Sequence, residues 1–222
     1  MHRSNWEYCK SRSSYHFDPN KSDQPGDWFG VIGTFTNTWE QELKQITNGR
    51  PMTWANRKNT NGRQGIVPPQ LELEEYDIIN GGGDPNLVLV ETVDDFSNCP
   101  NIRALGDFFE LKPGYHSRLH IQRTGQIFNN HMDKMDAVFP GHSNDEIVKF
   151  IIMLSDWHPG HFYHYGNLTY EKWHAGECHW FDWYNIPHGT ANTSYVPRYS
   201  LGISGIKTSR TVDIINGLVA LP

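Results

Sequence analysis

From residue 115 onward the chain alternates. In "SRLHIQR", "QIFNNHMD", "HFYHYG", "ECHWFDWY", "PHGTANT" and "RYSLGISGI", apolar or aromatic positions trade places with polar ones, and Gly, Pro, Asn or Asp separates the segments. Such period-two runs predict half-buried strands. "EIVKFIIML" becomes apolar on both faces toward its end, which predicts a central strand. Several short strands at this spacing predict a sandwich or a closed barrel. The first half has a different texture. "TNTWEQELKQITNGR" predicts a helix with Trp39, Leu43 and Ile46 on one face, a capping box from Thr38 to Gln41, and a stop at Gly49. "ANRKNTNGRQG" (55–65) and "NGGGDPN" (80–86) predict loops, "LVLVETV" a strand, and "KPGYH" from Lys112 a turn. No repeat, low-complexity tract or linker divides the chain. The expectation is one domain over 1–222, with 1–114 supplying helices, loops and first strands around a β-core formed by 115–222.

Composition narrows the class. The chain has 222 residues, enough for one sizeable core, and 13% aromatics, which argues against disorder. A formal charge of −6 disfavours sequence-independent gripping of a nucleic-acid backbone, though a local basic groove would be compatible with it. Cys9, Cys99 and Cys178 are widely spaced and form no CxxC pair, which fits a reducing compartment. The start, "MHRSNWEYCK", has no apolar core of a secretory signal, and "FIIML" is too short to span a bilayer. A soluble cytoplasmic protein is the expectation, with no prediction of oligomeric state.

The chemistry concentrates in "QIFNNHMDK". On a strand His131 and Asp133 share a face, about 6 to 7 Å apart along the backbone, so an imidazole and a carboxylate can converge on one ion. "NIPHGTANTSYVPRYS" offers His188 as a third ligand. Two histidines and one carboxylate on one side of an ion leave three positions open, the facial triad of non-haem Fe(II) oxygenases. Ten residues after His188 stands Arg198, with Ser200 on the same strand face. A guanidinium fork matches a carboxylate in bidentate fashion, and a neighbouring hydroxyl can complete the cradle.

The series His131-x-Asp133, His188, Arg198-x-Ser200 resembles the Fe(II)- and 2-oxoglutarate-dependent oxygenases over residues 115–206. The resemblance implies a double-stranded β-helix, the cupin-like jelly roll. His131, Asp133 and His188 would hold iron, and Arg198 and Ser200 would hold the distal carboxylate of 2-oxoglutarate. O2 would be the oxidant in hydroxylation of a C–H bond coupled to oxidative decarboxylation of 2-oxoglutarate. "HIQRTGQIFNNHMDK" is similar in layout to AlkB-type demethylases, where a Tyr at the position of Gln122 contacts 2-oxoglutarate; Gln122 is its altered counterpart here. "HGTANTSYVPR" resembles the aspartyl/asparaginyl hydroxylases, including Asn192, but those lack the carboxylate that Asp133 supplies. Asp133 also sets the chain apart from the halogenases of the family, which have a small residue there.

The two echoes point to different substrates: a small molecule, an exposed side chain, or a nucleobase. Two other classes remain compatible with the residues: a zinc hydrolase using the same triad to activate water, and a non-catalytic cupin-like binding module. Arg198 has no obvious task in the first, and open metal positions have none in the second. His158, His161, His164, His174 and His179 follow no ligand spacing and read as surface or hydrogen-bonded residues, whereas His120 shares a face with Gln122 and would line the cosubstrate pocket. Residues 155–177, rich in Pro, Gly and aromatics, are expected to form a covering loop over the open side of the metal, and this segment and 26–66 are where substrate selection would be sought.

Overall fold

The alternating segments are the strands of two facing sheets. A computed structural model of the chain describes residues 28–48, 52–56, 64–67, 88–133, 135 and 138–222. Chain order runs β1 (Phe29–Thr34), α1 (Glu40–Thr47), β2 (Met52–Asn56), β3 (Gln64–Val67), β4 (Val88–Val93), α2 (Pro100–Asp107), β5 (Lys112–Gln122) and β6 (Ile127–His131). It continues with β7 (Ile147–Met153), β8 (His161–Tyr165), β9 (Leu168–Tyr170), β10 (Glu177–Phe181), β11 (His188–Asn192), β12 (Arg198–Ile206) and α3 (Ser209–Ile215). The major sheet has the order β1-β10-β7-β12-β5-β4-β2-β3, and the minor sheet β6-β11-β8-β9. From β5 to β12 the chain passes back and forth between the sheets, which makes a double-stranded β-helix.

Period-two alternation decides what each strand buries. On β5, β7 and β12, Leu119 and Ile121, Val148, Phe150 and Ile152, and Leu201 and Ile203 face the helices. There they join Trp39, Leu43 and Ile46 of α1 and its N-cap and Ile102 and Leu105 of α2, with Phe109 stacked on Phe150 at 4.2 Å. The opposite face of β7 sends Ile147, Ile151 and Met153 between the sheets, where they meet Tyr163, Tyr165 and Phe181. β7 is central, between β10 and β12, as its apolar run predicts. Burying both faces of this strand ties the helical layer and the barrel interior into one body.

Several expectations need correction. The strands of the first half join the major sheet: β1 pairs with β10, and β4, β2 and β3 extend it beyond β5. Ala55 and Asn56 belong to β2, and Gln64 and Gly65 to β3, so the 55–65 stretch is strand at both ends. "KPGYH" does not turn but opens β5, because Lys112 pairs with Ile206 across a register shift between Ser204 and Ile206 that absorbs the irregularity. No capping box forms at Thr38; Trp39 is the N-cap residue, buried, with its indole N–H donating to Leu154 O at 3.2 Å. Burying the ring won over local capping. The 155–177 segment is not a covering loop, since it contains β8 and β9 of the minor sheet. The predicted stop at Gly49 and the 80–86 break lie outside the described residues. No helix among the described residues is long and apolar enough to cross a membrane.

Candidate metal centre

The centre is built where the minor sheet's first two strands pair. β6 and β11 run antiparallel with His131 opposite His188, so the two imidazoles stand side by side, ring centroids 4.3 Å apart. β6 is reached through the Thr124–Gly125 turn, where Gly125 takes φ +84° and its N–H donates to Asn192 O at 2.7 Å. That bond ties the turn before β6 to the end of β11. Asp133 lies just past the end of β6, not on it as strand alternation supposes, while the intervening Met132 is buried. The convergence survives: the ligand atoms of His131, Asp133 and His188 all lie within 4.8 Å of one another. His131 Nε2 is 3.4 Å from Asp133 Oδ1, and His188 Nε2 is 3.4 Å from Oδ2. His188 Nδ1 donates to Ile186 O at 3.1 Å, which leaves Nε2 as the nitrogen facing the carboxylate.

Lys149, on the inner face of β7, donates to Asp133 Oδ2. Burial alone would raise the Asp133 carboxyl, but Lys149, then His188 and His131, override it and hold the group well below the usual carboxylate range. The aspartate is therefore an anion ready for a cation. Three donors of this type, two imidazoles and one ionised carboxylate on one side of a shared point, fit a first-row divalent metal such as iron.

The triad opens on a cavity of about 400 Å³ between the sheets. Arg198 at the start of β12 lines it, fully buried, its guanidinium 4.3 Å from the Tyr163 ring centre. Nη1 donates to Phe162 O at 3.2 Å, yet Nε has no partner, and no carboxylate pairs with Arg198 among the described residues. Burial pulls its pKa down from the usual value, with Tyr163 and Tyr165 opposing. A buried cation with open donors is costly unless an anion completes it. Ser200 is buried on the same strand face, and its Oγ also lacks a partner, although it stands behind the residues that line the cavity. Gln122, opposite Arg198, likewise stands behind them; its Nε2 donates to Thr190 O at 3.4 Å. His120 lines the cavity and is kept far below its ordinary pKa by burial first, then by Lys149, Arg118 and Arg198.

Asn192 positions Arg198. Its side-chain amide donates to Gln122 O at 2.7 Å and to Val196 O at 2.9 Å, and its oxygen accepts from Ser194 N at 2.8 Å. These bonds shape the connection from β11 into β12. His161 assists, with Nε2 against Val196 O at 2.8 Å. Tyr165 closes the wall beside His188, its hydroxyl 2.7 Å from the neutral His179, whose pKa burial lowers to about 3.

Sequence reasoning missed Lys149, Tyr163 and Tyr165 as wall residues. The Lys149 signal was available: it is the single charge inside "IVKFIIM", and a lone cation in a doubly buried strand must face something polar. Tyr163 and Tyr165 carried no comparable signal, because inward aromatics on a strand are ordinary core. The expectation that 155–177 borders the metal site is met through these tyrosines, from a sheet and not from a lid.

No protein-family model matches the chain, and no curated protein sequence does. Solved structures do. The non-haem alpha-ketoglutarate-dependent epimerase SnoN from nogalamycin biosynthesis superposes with a TM-score of 0.56 at 9% identity, covering 81% of this chain and 78% of that one. The same epimerase in complex with Fe3+, alpha-ketoglutarate and nogalamycin RO gives 0.55 at 9% identity over the same shares. A Pseudomonas putida prolyl-4-hydroxylase gives 0.46 at 14%, covering 82% of this chain and 93% of that one. What this chain has in common with the epimerase at this identity is the fold.

Proposed function

We propose that the protein is an Fe(II)- and 2-oxoglutarate-dependent oxygenase that hydroxylates a C–H bond of a small molecule or an exposed side chain. The observation that carries this reading is the pairing of two half-sites in one cavity: a His131–Asp133–His188 donor set and, beside it, a buried Arg198 with an open Nε. A hydrolase would use the first and leave the second without a ligand. A dicarboxylate cosubstrate that chelates a metal at one end and carries a carboxylate at the other uses both. The fold shared with an epimerase solved with iron and alpha-ketoglutarate supports the same reading.

His131, Asp133 and His188 would hold the iron. Arg198, backed by Ser200 and stacked under Tyr163, would bind and orient the distal carboxylate, and Gln122 would brace that end through Thr190. Iron held there with 2-oxoglutarate and O2 would supply the oxidising power for C–H hydroxylation. The chain itself contributes a chamber whose wall near the triad includes the aromatic rings of Tyr165, Phe181 and Phe128. The test is anaerobic titration of the protein with Fe(II) and then 2-oxoglutarate, followed through the visible metal-to-ligand charge-transfer band. A saturable band is expected at one equivalent. Its absence with both components present overturns the reading.

A further inference from the structure

The interior faces of β5, β7 and β12 hold a second charged region, of which Lys149 alone also touches the candidate metal ligand Asp133. Cross-strand register places it. Ser204 of β12 lies between His116 of β5 and Lys149 of β7, and Gly202 lies between Arg118 and Ile151. All of these residues line the cavity. Arg198 is four to six residues back along β12, about 13 to 20 Å of strand at roughly 3.3 Å per residue. Its guanidinium is turned toward β8, against Tyr163 and Phe162 O. The two cationic regions are therefore anchored at opposite ends of the chamber.

Charge balance asks for a second anion. The cavity wall carries three permanent cations, Arg118, Lys149 and Arg198, against a single carboxylate, Asp133. A divalent metal and a doubly charged 2-oxoglutarate would cancel each other, and Asp94 behind the wall offsets Arg118, so a surplus of one positive charge would remain after both had bound. Donor counts agree. Lys149 gives one of its three N–H groups to Asp133, and the described residues offer no acceptor to the others. Arg118 commits Nε and one Nη2 hydrogen to Asp94, at 2.8 and 3.0 Å, which leaves three of its five. Asp94 is outside the cavity wall, so this bidentate pair fixes the guanidinium with its remaining edge free to meet a ligand. His116 is kept below its ordinary pKa by burial and then by Arg118, so it adds a neutral imidazole beside the two cations. Gly202 has no side chain to fill the space between the rows.

We infer that Lys149 and Arg118, with His116 and Ser204, bind an anionic group of the substrate, a carboxylate or a phosphate. This rests on the oxygenase reading and names the substrate class it acts on: an anion whose reactive C–H lies between this group and the metal. Both sources share one chemistry, an oxyanion meeting N–H donors that carry charge.

Isothermal titration calorimetry on the full chain, loaded with redox-inert Mn(II) and saturating 2-oxoglutarate, tests it with inorganic phosphate in one arm and acetate in the other. Saturable binding of at least one probe is expected, and the tighter one distinguishes phosphate from carboxylate. Arg118→Gln and Lys149→Met should each weaken it by at least about tenfold, the loss of one charge-assisted contact. Arg118 is partly exposed and away from the metal ligands, so its variant decides the matter if Lys149→Met does not fold. No heat from either probe at 10-millimolar scale, or equal affinity in the Arg118→Gln protein, overturns the anion site while the oxygenase reading stands. Failure of wild-type protein with Mn(II) to bind 2-oxoglutarate overturns the oxygenase reading itself, and this inference with it.

Discussion

Arg198 and Asp133 are the two side chains on which the proposed function turns, and both can be tested singly. Arg198→Ala should weaken 2-oxoglutarate by at least about tenfold, since a hydrogen bond to a charged group contributes roughly 1.5 to 3 kcal/mol and each 1.4 kcal/mol is a decade. Lys at this position should restore only part, having charge without the fork. Fe(II) affinity without cosubstrate should barely change, because Arg198 is not among the three candidate ligands. Calorimetric titration of 2-oxoglutarate into each Fe(II) protein checks this, and wild-type affinity in the alanine variant would count against the assignment. His131→Ala and Asp133→Ala should each abolish stoichiometric Fe(II) binding, read by metal analysis after desalting. The His131 variant should keep its fold, since other residues hold β6 against β11. Asp133→Ala also removes the acceptor of Lys149 and should cost more stability, on the order of 1 to 3 kcal/mol for a largely buried donor left without its partner.

At the level of elements, the two helices packed on the major sheet are joined to each other by one carboxylate. Glu42 of α1 is buried and reaches the first turn of α2: Oε1 accepts from Asn101 N at 2.9 Å and Asn101 Nδ2 at 2.8 Å, and Oε2 from Ile102 N at 2.9 Å. The α2 N-cap residue, Cys99, makes no side-chain cap bond, so Glu42 supplies from a distant helix what a Ser or Asp would supply locally. Glu42→Ala should therefore lower stability by about 1 to 2 kcal/mol, the scale of a lost cap. A urea midpoint unchanged from wild type would contradict it. This contact joins residues 59 and 60 positions apart, beyond the reach of any window read along the chain.

Across the whole molecule, buried and half-buried histidines make stability depend on pH. Burial is the leading cause that lowers the pKa of His116, His120, His161, His164 and His179, the last to about 3. Unfolded, each titrates near its ordinary value of about 6.5. Between the two values the unfolded chain binds protons that the folded chain refuses, so stability falls as pH drops below about 6.5, and for His179 continues to fall toward about 3. Each such group steepens the loss by up to about 1.4 kcal/mol per pH unit. Urea midpoints of metal-stripped protein should be clearly lower at pH 5.5 than at 7.5. Equal midpoints would mean that these side chains are hydrated.

Much of this protein could be read from order along the chain, because alternation has a fixed consequence. A strand sends successive side chains to opposite faces, so "SRLHIQR", "EIVKFIIML" and "RYSLGISGI" declare their strands, and HxD, His188 and Arg198 fall in an order that one fold accommodates. The local rules failed where a distant partner outbid them: the Thr38 capping box gave way to burial of Trp39 against Leu154, and Pro113–Gly114 entered a strand because β12 was there to pair with it. What only the tertiary structure decided is which strands become neighbours. Pairing β6 with β11 sets His131 beside His188, and pairing β12 with both β5 and β7 gathers His116, Arg118 and Lys149 around one end of the chamber. Register is a property of two strands at once, fixed by the burial that both achieve together, and no single segment contains it.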